Sequence, residues 1–171
     1  LDGLAGTITA AAFARNTTQL VAGNNSGQVR IWNLADGSVV GQAAVHTGAV
    51  TGVALHPDGK RLVTAGTDGA WKLWALPLKT PANKNGKKSD KKDKTTAKPA
   101  EPIQPTAMVI AHAGGVTSLD LSADGKQVLT GGIDKQAKLF AITGTLVRTF
   151  AGHASPIRAV QLTAERVIAA G

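Results

Sequence analysis

Short apolar runs recur along the chain at a nearly fixed interval. ITAAAF (8–13), VTGVAL (50–55), VTSLDL (116–121) and IRAVQL (157–162) have the same length and lead into polar or turn-forming residues, which is a strand signal. VTGVAL alternates, with Val50, Gly52 and Ala54 on one face and Thr51, Val53 and Leu55 on the other. Superposed, Ile8, Val50, Val116 and Ile157 align, as do Phe13, Leu55, Leu121 and Leu162, and then Trp32, Trp74 and Phe140. The step from Ile8 to Val50 is 42 residues, and from Val50 to Val116 it is 66, the same 42 plus an insertion of 24. From Val116 to Ile157 the step is 41. A period in this range is the mark of a repeat architecture.

One unit reads as four strands. After VTGVAL comes HPDGK (56–60), where Pro fixes φ and Gly takes a positive φ at little cost. RLVTAG (61–66) is a second strand, TDG (67–69) a tight turn and AWKLW (70–74) a third strand. In the first unit ADG (35–37) turns into SVVGQA (38–43), a fourth. The result is an antiparallel meander with two apolar faces, so each sheet needs neighbours stacked against it.

Four strands in forty-odd residues is the pattern of a propeller blade, and the chain resembles the WD40 family outside an insertion at 79–106. The expected fold is all-β, an incomplete WD40-type β-propeller of about 3.5 four-stranded antiparallel blades and 14 strands. The blades are expected at 1–43, 44–110, 111–151 and 152–171, the last holding two strands only. The resemblance implies that His46, His112 and His153 are the family's His before the first strand. It likewise implies that Thr64 and Thr130 are its second-strand hydroxyl, Asp68 and Asp134 its turn aspartate, and Trp74 and Trp32 its closing Trp. In the family these four side chains form a hydrogen-bonded network within a blade. Here the second blade alone can complete it. Phe140 replaces the third Trp and loses the indole donor, and the first unit has Leu4 for the His and Ser26 for the Asp.

Composition adds a second theme. Residues 79–101 hold eight Lys against Asp90, Asp93 and Glu101, a net +5 of the chain's +8. With four Pro and almost no apolar residue, the stretch 79–105 is expected to be a disordered loop between a third and a fourth strand. Lys87, Lys88, Lys91, Lys92 and Lys94 could attract nucleic acid or another anionic surface. The absence of Arg and of aromatics within the loop favours a solubilising insertion instead. There is no Cys, hence no disulfide and no thiolate metal site, and no apolar run of the roughly 18 residues a membrane span needs. No cofactor motif occurs and none is expected. The compartment is undetermined, and Ala- and Gly-rich strands hint at a bacterial source.

The chain reads as part of a longer propeller, because such folds close with about four to eight blades. The remaining blades are then needed for closure, and an open end would expose an apolar face and unpaired edges. Repeat-locked His residues read as structural, and His56 reads as an inert, exposed turn residue. Trp71, aligned with Val29 and Ala137, reads as a filler between blades ahead of a partner contact. The function implied by the resemblance is a non-catalytic scaffold that binds partner proteins on the face carrying the His loops. Asn25, Ala49, Thr67, Gly115 and Ile133 mark that face. The rival readings are an accessory propeller of a larger enzyme or redox protein, and an anion-binding module acting through the Lys loop.

Overall fold

The computed structural model describes residues 4–13, 18–78 and 103–171. These form fourteen strands. The first sheet comprises β1 (Ile8–Phe13), β2 (Gln19–Asn24), β3 (Gln28–Asn33) and β4 (Val39–Ala44). The second comprises β5 (Val50–Leu55), β6 (Arg61–Gly66), β7 (Ala70–Ala75) and β8 (Ala107–Ile110). The third comprises β9 (Val116–Leu121), β10 (Gln127–Gly132), β11 (Ala137–Ala141) and β12 (Leu146–Phe150), and β13 (Ala159–Leu162) pairs with β14 (Val167–Ala170). Within every sheet the strands follow chain order and run antiparallel. The first strands β1, β5, β9 and β13 lie side by side across successive sheets, the arrangement of propeller blades around an axis. No helix among the described residues is long and apolar enough to cross a membrane.

Apolar cores fill the seams between blades. Val21, Val29 and Ile31 of the first blade meet Val50, Leu62 and Trp74 of the second. Val63, Trp71 and Leu73 of the second blade meet Val116, Val128 and Phe140 of the third. Trp71 is fully buried there, its ring 5.8 Å from that of Phe140, so it fills the seam. The last seam is smaller: Leu129, Ala137 and Leu139 pack on Val160, Leu162, Val167 and Ala169.

Three expectations need correction. Strict alternation in the first strands fails, because each of β1, β5 and β9 carries a bulge at its second residue: Thr9, Thr51 or Thr117. A bulge inserts one unpaired residue and leaves a backbone group without a ladder partner. The threonine hydroxyls make use of this. Thr9 Oγ1 donates to Val50 O at 2.5 Å and Thr51 Oγ1 to Val116 O at 2.8 Å, each reaching the neighbouring blade. Second, the first strand of the fourth unit starts at Ala159, not at Ile157. Its amides are held from the blade before: Val160 N donates to Ser118 Oγ at 3.1 Å and Leu162 N to Asp120 Oδ2 at 2.6 Å. Third, the insertion expected at 79–106 ends earlier. Ile103 packs on the core between the first two blades and Thr106 N donates to Leu73 O at 2.7 Å. The rest of the insertion, with Lys87, Lys88, Lys91, Lys92 and Lys94, lies outside the described residues.

Candidate binding face

Beneath one rim of the blades lie the His-centred networks. In the second blade, His46 Nδ1 sits 2.9 Å from Asp68 Oδ1 and His46 Nε2 sits 2.8 Å from Thr64 Oγ1, while Trp74 Nε1 donates to Thr64 Oγ1 at 2.9 Å. A carboxylate only accepts, so Nδ1 carries the imidazole proton and Thr64 donates to Nε2. The chain of donors runs from Trp74 through Thr64 and His46 to Asp68, with no group left over. Burial pushes the His46 imidazole below its ordinary pKa, against the pull of Asp68. Burial also works to raise Asp68, but the His46 charge and hydrogen bond, with the Ala70 amide, hold its carboxyl below the ordinary value.

The third blade repeats three of the four groups. His112 Nδ1 lies 2.8 Å from Asp134 Oδ1, and Nε2 lies 2.9 Å from Thr130 Oγ1. Phe140 supplies no donor, so the Thr130 hydroxyl has His112 Nε2 and Lys138 O, 3.3 Å away, in reach of one proton. His153 makes no such constellation among the described residues. It is half-buried, and Ala169 stands where the other units have Thr64 and Thr130.

Several groups escaped the sequence reading. Lys72 Nζ donates to Val45 O at 2.8 Å and lies 3.4 Å from Asp68 Oδ2. Lys138 does the same with Ala111 O, at 2.7 Å, and with Asp134 Oδ2. A basic residue two positions before Trp32, Trp74 and Phe140 in each unit was the signal available. Asn24 is the other. A Cβ on Gly66 or Gly132 would fall 2.6 or 2.3 Å from the His46 or His112 ring. With Leu4 in place of the first His, that space is open, and Asn24 fills it. Its Oδ1 accepts from Ser26 N and Gln28 N at 3.0 and 2.8 Å, and its Nδ2 donates to Ala5 O at 2.6 Å. Trp32 Nε1 is buried without a partner, Ala22 standing where Thr64 stands in the next blade.

His56 is buried rather than exposed. Its Nε2 lies 3.2 Å from Gly125 O of the following blade, and Asp58 and Arg61 flank the ring. It is a staple at the rim opposite the His networks.

Above those networks are the turns expected to meet partners. Asn25, Thr67 and Ile133 are exposed and Ala49 is half-buried. Thr67 N donates to Ala49 O at 2.9 Å and Ile133 N to Gly115 O at 3.2 Å. Gly115 is itself buried, which removes it as a contact residue. A Cβ there would lie 3.1 Å from Thr67 O and 3.6 Å from Ile133 Cδ1, so the neighbouring turn covers it.

Comparison with known proteins agrees with this architecture. Residues 2–33, 37–75 and 103–140 match the WD40 family, described as WD domain, G-beta repeat. The second and third matched segments each take the fourth strand of one sheet and the first three of the next. WD repeat-containing protein 3 of Mus musculus is 34% identical over 76 residues, covering 44% of this chain and 8% of that protein. Apoptotic protease-activating factor 1 of Homo sapiens is 37% identical over 82 residues, 43% of this chain and 6% of that protein. The Periodic tryptophan protein 2 homolog of Schizosaccharomyces pombe is 28% identical over 151 residues, 88% of this chain and 17% of that protein. The chain thus spans a small part of the length of the relatives it matches. Among solved structures, the computationally designed Ika4 protein superposes with a TM-score of 0.73 at 23% identity, covering 99% of this chain and 88% of that one, a likeness of fold. With the family matched over well over half of its residues, the chain belongs to the WD40 repeat family.

Proposed function

We infer that this chain is a non-catalytic protein-interaction platform, binding partner proteins through the rim marked by Asn25, Ala49, Thr67 and Ile133. The observation that carries this reading is where the reactive groups go. His46, His112, Asp68 and Asp134 are spent on one another and on Thr64, Thr130, Lys72 and Lys138. Asn25, Ala49, Thr67 and Ile133 above them are uncharged side chains on a frame locked from below. Membership of the family supports it too, since WD40 repeats generally serve as interaction scaffolds. Fold alone does not dictate function, so the test is on the rim.

The experiment is quantitative affinity purification of the full-length protein, compared with Asn25→Arg and Ile133→Arg variants and with a variant carrying Gln at Lys87, Lys88, Lys91, Lys92 and Lys94. The reading expects specific protein partners that are lost from the rim variants and kept by the loop variant. Partners or nucleic acid lost from the loop variant alone would replace it with anion binding through the insertion.

A further inference from the structure

At the first two blade junctions a glycine closes the seam. Val45 N and His46 N donate to Gly27 O at 2.8 and 3.1 Å, and Ala111 N and His112 N donate to Gly69 O at 2.8 and 3.2 Å. Both glycines have positive φ, 76° and 83°. A Cβ on Gly27 would fall 2.0 Å from His46 O, and one on Gly69 2.5 Å from His112 O. The close approach therefore needs glycine.

At the third junction the same turn position holds Lys135. Its φ is 64°, and among the described residues it is the one non-glycine with positive φ. Its side chain starts in the volume where the sister junctions seat the next His carbonyl. The following loop is placed differently here: the amide that reaches the turn is Ile157 N, donating to Gly132 O at 3.1 Å. The bond to a turn glycine that closes the first two junctions is replaced at the third by the bond from the buried Ile157 to Gly132 O.

What stands at this turn is specific. Ile133 is 46% exposed beside Gly114 and Gly115. Lys135 is exposed, and its ammonium enters no ion pair among the described residues. The adjacent Asp134 is taken by His112 and Lys138, and Asp68 of the preceding turn by His46 and Lys72. An uncompensated cation beside an aliphatic side chain is complementary to a carboxylate beside another aliphatic. A residue with a Cβ is disfavoured in the left-handed region, and strain retained at an exposed turn points to use of the side chain.

We propose that the turn Ile133–Lys135 is the docking point for an acidic, aliphatic segment of a partner protein, with Lys135 pairing its carboxylate and Ile133 its apolar side chain. This rests on the reading of the rim as the partner platform. The test is selection of a random displayed 12-residue peptide library on the full-length protein, followed by affinity measurement of enriched peptides. Enriched sequences should carry Asp or Glu next to Leu, Ile or Val. Lys135→Gly should weaken them about tenfold, roughly 1.4 kcal/mol, while the melting temperature holds or rises because the strain is relieved. Ile133→Ser should weaken them as well, and Gln at Lys87, Lys88, Lys91, Lys92 and Lys94 should not. Enrichment without acidic residues, no enrichment, or undiminished binding by Lys135→Gly overturns the proposal. If enriched peptides ignore Lys135→Gly but are lost from Asn25→Arg, this docking point falls and the platform reading stands.

Discussion

A single indole N–H separates the network of the second blade from that of the third. Thr64 stands between an indole donor and an imidazole acceptor, whereas Thr130 has no donor aimed at it. A buried hydrogen bond contributes about 1 kcal/mol net, and an orphaned buried partner costs about 1–3 kcal/mol. Thr64→Val leaves both the Trp74 indole and a His46 nitrogen unpaired, so it should destabilise by about 1 kcal/mol more than Thr130→Val. Urea denaturation of the two variants against the parent checks the order; equal losses would mean that the indole link carries no weight. The imidazoles also set a pH dependence. Burial pushes His46 and His112 below the ordinary 6.5, so on acidification the unfolded chain takes up protons before the folded one does. Their contribution is fully present above pH 6.5 and is lost as pH falls towards their folded values. For Asp68 and Asp134 burial acts upward, but the His partners and the backbone amides hold both below 3.8. Their contribution is present above pH 3.8 and is lost below it. The signs agree, so stability should fall in two stages on acidification, and His112→Gln should flatten the first. Denaturation midpoints between pH 8 and pH 3 would show this.

At the scale of strands and turns, the structure follows the repeat closely where the pattern is local. The second and third strands and the tight turns that bound them were legible because Gly27, Gly59, Gly69 and Gly125 mark turns at positive φ. The bulges were not. A period-two reading places Val50, Gly52 and Ala54 on one face, and nothing local reveals that Thr51 is the extra residue. The burial of His56 and of Gly115 was hidden for a related reason: each is covered by a turn of another blade, Gly125 in one case and Thr67 in the other. Asn24 was legible only as a pair of changes, the loss of a His and the loss of a Gly. That pairing can be tested. Gly66→Asn places a side chain into the His46 ring, and it should destabilise by about 1–3 kcal/mol on the pattern of overpacked cores. Asn24→Gly should cost about as much by stripping two amides of their acceptor. Thr51→Val should loosen the second and third blades against each other by about 1 kcal/mol through the lost bond to Val116 O.

At the scale of the whole molecule, the second blade has a well-filled seam on both sides among the described residues. Opening it exposes two cores, whereas the β13–β14 pair is held by one small seam and by Ser118 and Asp120. Hydrogen exchange in the 171-residue chain should therefore be slowest in β6 and β10 and fastest in β13 and β14. Asp120→Ala should raise exchange at Leu162 in particular, and uniform protection across the blades would contradict this account of the seams. A frame locked in this way holds its rim turns still, which lowers the ordering cost of binding. The most direct measurement is site-specific photo-crosslinking in the full-length protein, with the probe at Asn25, Thr67 or Ile133 on one rim and at Asp58 or Asp124 on the other. The platform account predicts crosslinks to discrete partner proteins from the first three positions, strongest at Ile133, and little from the last two. Partners captured equally from both rims, or from Asp58 and Asp124 alone, would contradict it.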